Sequence, residues 1–208
     1  ASRELIDAAI AAKADAIFVH HGLFWRGQDG RVVGWMKERL QRLLAHDINL
    51  YAYHLPLDAH PELGNNAQLG SVLGLQADAW CGDQNLVSLG QPKNALAFAN
   101  AEALSAHVEA CLGRAVTCIA PQAKPLKRIA WCSGGAQSYF ESAIAQGVDA
   151  FITGEISEPQ AHIAKETGVA FLACGHHATE RYGAPAVAAQ VAAQLGLTHQ
   201  FIEIDNPA

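Results

Sequence analysis

The sequence predicts an α/β protein, because short apolar segments alternate with segments whose apolar residues recur at helical spacing. Strand-like segments separated by about 10–15 helix-like residues are typical of βαβ units. Composition supports the same class: 50% of the 208 residues are hydrophobic and 16% are charged, which allows a substantial core. We therefore expect mostly parallel sheets flanked by helices.

The N-terminal half of the sequence reads as helix, strand, helix and strand. Residues 4–13 (ELIDAAIAAK) and 34–47 (GWMKERLQRLLAHD) place apolar side chains at helical spacing. The apolar runs at 16–19 (AIFV) and 48–54 (INLYAYH) follow them and are typical of strands. The first predicted strand therefore leads directly to a pair of histidines, and the second ends at His54.

The C-terminal half continues the alternation. Gly-rich or polar turn segments separate its apolar runs from its helical patterns. We expect strands within 86–92, 115–121, 128–132, 150–153, 169–174 and 198–204, and helices within 99–113, 136–147 and 178–196.

Two internal similarities predict that the chain consists of two related halves. Residues 9–19 and 143–153 share five identities in eleven positions, although the abundance of alanine makes chance a competing explanation. The spacing of His54 and Asp58 is repeated by His176 and Glu180, and both pairs follow an apolar strand. We expect one α/β half at 1–84 and a second at 85–208.

Charge and cysteine content exclude several classes of protein. The formal net charge of −6, without a strongly basic stretch, gives no electrostatic support for binding nucleic acid. No run approaches the ~18 apolar residues that a membrane-spanning helix requires. The five scattered cysteines form no C-x-x-C pair, so we expect buried thiols in a cytoplasmic protein. Because the chain opens directly on a helical pattern, we also expect an N-terminal segment to be missing.

Metal-binding residue types follow four predicted strands. His20 and His21 follow the first strand, and His54 and Asp58 follow the second. Two further sets lie in the C-terminal half, at Thr153-Gly154-Glu155 and at His176, His177 and Glu180. Ligands of open α/β sheets bind beyond the carboxyl ends of strands, where all of these side chains lie. Imidazole and carboxylate suit zinc, iron, manganese, nickel or cobalt.

The adjacent histidines favour two metal ions over one. Neighbouring side chains of an extended backbone point in opposite directions, so His20 and His21 reach two different ions more easily than one. A carboxylate such as that of Asp58 or Glu180 is able to bridge such a pair. Two ions about 3.5–4 Å apart are common in hydrolases.

Each of these features also has a structural explanation. Asp58 lies in a segment rich in turn and cap residues, and Glu180 suits the first turn of a helix. Ser133-Gly134-Gly135 would cradle a phosphate at a helix N-terminus, but a tight turn explains it better because the phosphate-loop spacing is absent. The remaining histidines, His46, His60, His107, His162 and His199, are expected to be ordinary surface or packing residues.

Four segments in this order resemble signature segments of the NIF-three-like family: FVHHGLFW, HLPLDAHPELGNN, ITGE and GHHATERYG. Bacterial members of that family are labelled GTP cyclohydrolase 1 type 2 homologues or dinuclear-metal hexameric proteins. The resemblance implies that five residues bind two divalent metal ions, namely His20, His21, Asp58, His176 and Glu180. It also implies two α/β domains in a toroidal homohexamer and leaves His177 without an assigned role.

These features together predict a metal-dependent hydrolase that acts on a small, phosphorylated or nucleotide-like substrate. We expect His54 to transfer a proton or to support a ligand, because it shares a strand end with Asp58. Phe24 or Trp25 would stack on a base, but a position in the core explains them equally well. The alternatives are a non-enzymatic metal-dependent binding or regulatory module, a metal chaperone, or a di-iron oxidoreductase.

Overall fold

The computed structural model describes residues 1–208 and has two β-sheets surrounded by helices. The strands are β1 (Ala16–Val19), β2 (Asn49–Ala52), β3 (Leu75–Cys81), β4 (Val87–Pro92), β5 (Thr117–Ile119), β6 (Ile129–Trp131), β7 (Ala150–Thr153) and β8 (Ala170–Ala173). The helices are α1 (Arg3–Ala11), α2 (Gly34–Ala45), α3 (Leu55–Ala59), α4 (Asn65–Val72), α5 (Ala101–Leu112), α6 (Phe140–Ile144), α7 (Glu158–Thr167), α8 (His176–Glu180) and α9 (Gly183–Leu195). The expected α/β class is confirmed.

The small sheet consists of β1 and β2, which pair in parallel. Helix α2 connects the two strands, as parallel pairing requires. Apolar side chains of both strands pack against α1 and α2, and the buried centre of this cluster includes Ile6, Ile17, Leu43 and Ile48. Both strands therefore end at the same edge of this sheet, directly before the histidines.

The large sheet has the strand order β3-β4-β6-β7-β8-β5 and is mixed, which corrects the expectation of mostly parallel sheets. Only β6, β7 and β8 pair in parallel, through crossovers that contain α6 and α7. Strands β3 and β4 are antiparallel because residues 82–86 join them, and so short a connection leaves no room for a crossover. The parallel core still brings the ends of β7 and β8 together.

The segment 198–204, expected to be a strand, forms no strand. Its backbone pairs with neither sheet; instead the Glu203 carboxylate lies 2.6 Å from His177 Nε2 and 3.7 Å from Arg181 Nη1. Side-chain contacts of Glu203 therefore hold this segment against α8. The alternation of apolar residues that predicted a strand here is not matched by pairing with a neighbouring strand.

The segment between β2 and β4 contains three elements that the sequence patterns did not reveal. Helices α3 and α4 occupy a turn-rich stretch, and β3 has an aspartate, Asp78, within it. Strand β3 belongs to the large sheet although it precedes residue 85. The division into two related halves at 1–84 and 85–208 stays a prediction.

Buried side chains cover both faces of the large sheet. One face packs against α5 and α4 through a cluster that includes Leu69, Leu104, Trp131 and Ile152. On the other face, the rings of Phe140, Phe151 and Phe171 meet with centroids 4.9–5.7 Å apart. Such close aromatic contacts add to the stabilisation from burial alone. Two cores therefore hold the strands whose ends carry polar residues.

None of the helices has both the length and the apolar character that crossing a membrane would require.

Removal of one ring from the aromatic core tests this packing. Phe171 is fully buried against Phe140 and Phe151, so Phe171→Ala leaves a cavity that neighbours fill only in part. We expect the free energy of unfolding to fall by about 3–5 kcal/mol in chemical denaturation. Phe201→Ala, at an exposed ring, is the control and should change it by less than about 0.5 kcal/mol. Equal stabilities of the two variants would contradict this packing.

Candidate metal centre

Histidines and carboxylates from both sheets meet in one cluster. His20 and His21 follow β1, whereas His54 precedes α3 and Asp58 lies within it. From the large sheet, helix α8 follows β8 and contributes His176, its first residue, and Glu180, its last. Three groups of side chains have ligand atoms close enough to hold an ion: His20, His21 and His54; His21, His176 and Glu180; and His20, Asp58 and Glu180. All six residues selected from the sequence are therefore neighbours in space.

The Glu180 carboxylate lies at the centre of the cluster. Its Oε2 is 2.9 Å from His176 Nε2, 3.2 Å from His21 Nε2 and 3.6 Å from His20 Nε2. Three of these atoms, Glu180 Oε2, His20 Nε2 and His176 Nε2, are buried without a hydrogen bond. Buried polar atoms normally have a partner, and their convergence on one space is the arrangement that a cation would satisfy. The residues therefore fit divalent metal ions.

Hydrogen bonds on the outer side of two histidines orient them for such a role. His20 Nδ1 lies 3.0 Å from the carbonyl oxygen of Tyr53, and His176 Nδ1 lies 2.6 Å from Glu155 Oε1. Both acceptors favour the tautomer that carries its proton on Nδ1, so the Nε2 lone pair faces the cluster. Metal-binding histidines are commonly oriented in this way. Glu155, to which the sequence assigned no role, supports the site through His176.

The Asp58 carboxylate is held by buried polar side chains. Asn65 donates a 2.9 Å hydrogen bond to Asp58 Oδ1, and the Ser133 hydroxyl lies 3.4 Å from the same oxygen. The amide of Asn66 donates to the carbonyls of Asp58 and Leu86. Both asparagines are buried at the start of α4, in a segment that is rich in turn and cap residues. The signal in the sequence that could have found them is their position at the end of the segment HLPLDAHPELGNN.

The loop after β6 closes the cluster from the large sheet. Gly134 has φ +66°, and a Cβ at this position would collide with the Glu180 carboxylate and approach His176 Nε2. A side chain here would also be strained by the left-handed backbone conformation. Glycine therefore allows the loop backbone to pass directly over the central carboxylate.

Three backbone N–H groups of this loop are already used within the protein, which favours a tight turn over a phosphate cradle. Backbone N–H groups that would face a phosphate donate instead to neighbouring side chains. Those of Ser133, Gly134 and Ala136 donate to Asn66 Oδ1, Thr179 Oγ1 and Thr153 Oγ1, respectively. The buried threonine hydroxyls donate in turn to backbone carbonyls, so the loop, α8 and the end of β7 form one hydrogen-bonded unit.

The electrostatics of the cluster stabilise a negative charge on Glu180. Burial alone would raise the pKa of this carboxyl, but the contacts with His176 and His20 prevail and lower it to about 2. The contact with Glu180 raises the pKa of His176 to about 9, against the effect of burial. A cation that binds here would have to displace that proton. Burial lowers the pKa of His21 to about 4, so its imidazole is neutral at pH 7.

His54 occupies the open side of the cluster. Its ring centroid lies 5.0 Å from that of His20 and 5.4 Å from that of His21, and the side chain is exposed. Burial and the neighbouring His20 lower the pKa of its imidazole, which favours the neutral form. This placement suits the proton-transfer role predicted from the sequence and equally suits direct binding of an ion.

The remaining histidines lie outside the cluster. His177 points away from it and pairs with Glu203, which assigns this residue to the attachment of the C-terminal segment. His107 lies 3.0 Å from the carbonyl of Leu73 through its Nε2 atom, a packing contact of α5. The other four are absent from every group of potential ligands, as expected: His46, His60, His162 and His199.

Two proteins that are similar to this chain over its whole length share one name. A protein of Neisseria meningitidis serogroup A, named GTP cyclohydrolase 1 type 2 homolog, is 51% identical over 208 residues, which is 100% of this chain and 82% of the relative. A protein of the same name from Escherichia coli K12 is 47% identical over 209 residues, with 100% and 83% covered.

A solved structure is also similar to this chain over its whole length. The protein ybgI, titled as of unknown function, superimposes with a TM-score of 0.94 at 46% identity and covers 100% of this chain and 82% of its own. Residues 1–207 match the family described as Duf34/NIF3 (NGG1p interacting factor 3). This match confirms the resemblance drawn from the four sequence segments. The chain belongs to the Duf34/NIF3 family.

Proposed function

We propose that this protein is a metal-dependent hydrolase whose two divalent ions are bound by His20, His21, Asp58, His176 and Glu180. The observation that carries the proposal is the convergence of buried, unpartnered imidazole and carboxylate atoms on one space. Nitrogen and oxygen ligands of this kind suit zinc, iron, manganese, nickel or cobalt.

Two of the ligand groups support a pair of ions. One consists of His21, His176 and Glu180, and the other of His20, Asp58 and Glu180. These two groups share Glu180 alone, so its carboxylate would be a ligand common to both ions, and each ion would have two further ligands. His20 and His21 fall in different groups of this pair, which supports two ions, although the third group, with His54, contains both.

Each part of the chain has a distinct role in this proposal. When bound, a pair of divalent ions would activate water and polarise a substrate oxygen. Glu155 holds the Nδ1 proton of His176, and Asn65 fixes one oxygen of Asp58. His54, neutral and exposed beside the ligands, is placed to accept a proton at its imidazole and to return it to a leaving group.

The proposed substrate is a small nucleotide-like or phosphorylated molecule. The relatives at about half identity are named GTP cyclohydrolase 1 type 2 homolog, and that label supports a nucleotide as the first substrate to test. Bound divalent ions would compensate the negative charge of a phosphate. Hydrolysis at a ring carbon or a phosphoester uses the same water activation.

The proposal includes association of several copies in the cytoplasm, with the toroidal homohexamer implied by the family as the arrangement to test. Exposed apolar side chains on α9 and on the edge strand β3 support an interface: Trp80, Val191 and Leu195. Analytical ultracentrifugation of the purified protein would measure the number of copies.

A turnover screen tests the hydrolase directly. Protein loaded separately with manganese, iron or zinc would be incubated with nucleotides and phosphoesters, and products would be separated by chromatography. Hydrolysis that requires both the metal and His54 supports the proposal. Metal binding without hydrolysis of any compound would favour a binding or regulatory module.

Substitution of the carboxylates tests the ligand assignment. Asp58→Ala and Glu180→Ala each remove a ligand, and Glu180→Ala removes the one shared by both groups. We expect Glu180→Ala to lose both ions and Asp58→Ala to lose at least one, as measured by elemental analysis of protein whose circular dichroism is unchanged. His162→Ala, at an exposed histidine of α7, should retain the full content. Unchanged metal in either carboxylate variant would refute the assignment.

Substitution of Glu155 tests the support of His176. Glu155→Gln keeps the shape but weakens the 2.6 Å contact with His176 Nδ1. We expect metal affinity to fall by about 10–100-fold, measured by competition with a chelator.

Glu203→Gln is the matched control, because it alters an equally short contact with His177 that points away from the cluster. It should leave the affinity unchanged. Equal losses in both variants would mean that the two carboxylates act on the position of α8, and would contradict a specific role of Glu155.

A further inference from the structure

Trp25 is an aromatic side chain at the border of the metal centre. Its ring lies perpendicular to that of His54, with centroids 4.9 Å apart, and is inclined by 64° to that of His21 at 5.6 Å. Two hydrogen bonds between Trp25 and Gln28, one from each backbone N–H, form a turn that fixes this position. The indole is thus held against the two imidazoles on the open side of the cluster.

This indole is not a core residue. Trp25 is 38% exposed, whereas Trp131, the tryptophan of the large-sheet core, is 1% exposed. The indole also lines a cavity of about 90 Å³ together with Phe24, Arg31 and Met36. A large apolar surface that borders both a polar cluster and a cavity is a common feature of ligand sites. Its placement therefore calls for an explanation other than packing.

Ions held by the ligand groups would bind a phosphate or another oxygen of a substrate. The same groups provide no apolar surface for the organic part of that substrate. An exposed indole beside them provides one, because a flat π-face stacks on a planar ring with little dependence on the ring's identity. A molecule whose ring lies on Trp25 would place its attached polar groups within reach of the cluster, since only the imidazoles separate the two.

We propose that Trp25 is the stacking surface for a planar aromatic ring of the substrate, and that it makes the protein selective for ring-bearing molecules such as nucleotides over ring-free phosphates. This inference rests on the proposed function, because it assigns the substrate class of the same site. It identifies Trp25 as a specificity-determining residue that binds no metal.

Binding measurements without turnover test this role. Isothermal titration calorimetry of manganese-loaded protein would compare guanosine 5′-monophosphate with ribose 5-phosphate, which has the same sugar and phosphate but lacks the ring. We expect the nucleotide to bind more tightly. Trp25→Leu should weaken nucleotide binding by about 5–100-fold, the effect of one lost stacking contact, and leave ribose 5-phosphate binding within about twofold. Trp25→Phe should retain most of the affinity.

Trp35→Leu is the control, because it removes an exposed indole from α2 that belongs to no ligand group. It should bind both compounds as the unaltered protein does, and all variants should keep their metal content. The proposal is overturned if the unaltered protein binds neither compound, does not prefer the nucleotide, or if Trp25→Leu weakens both compounds equally. A change in oligomeric state of Trp25→Leu with unchanged nucleotide binding would also overturn it and assign the indole to a contact between copies.

The outcome is separable from that of the hydrolase proposal. Selective binding that depends on Trp25, without product formation, would support the stacking role and count against hydrolysis. If the protein hydrolysed only ring-free phosphates, that result would support the hydrolase proposal and contradict the stacking role of Trp25.

Discussion

The buried carboxylate of Glu180 is the group on which the arrangement of the site depends. A buried charge is costly unless other groups compensate it, and here three imidazole nitrogens lie within 3.6 Å of one carboxylate oxygen. The surrounding backbone is adapted to it: Gly134 passes over the carboxylate without a side chain, and Thr179 fastens that loop to α8. The charges and lone pairs that would bind cations are thus held in place by the fold.

The site exists only because the two sheets are held together. Asp58 follows the small sheet, whereas His176 and Glu180 follow the large one. Asn66 spans the gap, since it bonds to the backbone of Asp58, of Leu86 and of Ser133. These bonds pair the buried side-chain amide of Asn66 with backbone groups on both sides. A buried polar network makes a core more rigid when its groups are paired in this way. The distances between the histidines and carboxylates of the cluster are therefore set by the contact between the sheets.

The chemistry available to the site follows from two features of its surroundings. Two of the three groups of histidines and carboxylates share one carboxylate, and a cation held by either group would have few fixed ligands. On the open side, His54 and Trp25 are both accessible, one as a polar group and the other as a flat apolar surface. An exposed imidazole beside an aromatic face is a feature of sites that bind small organic molecules.

The sequence by itself determined the α/β class and the six residues of the cluster. The alternation of apolar patterns indicates strands and helices, and residues that follow the strands of a parallel sheet meet at one edge, so His20 and His54 were predictable as neighbours. Their proximity to His176, which follows a strand of the other sheet, was decided by the contact between the sheets. Tertiary structure alone decided the antiparallel edges of the large sheet and the irregular C-terminal segment, because both depend on which backbone lies alongside. It alone also gave roles to Asn66 and Glu155, because a hydrogen-bond partner distant in sequence leaves no periodic signal. Residue types thus revealed the chemistry of the site, whereas contacts between distant segments decided its geometry.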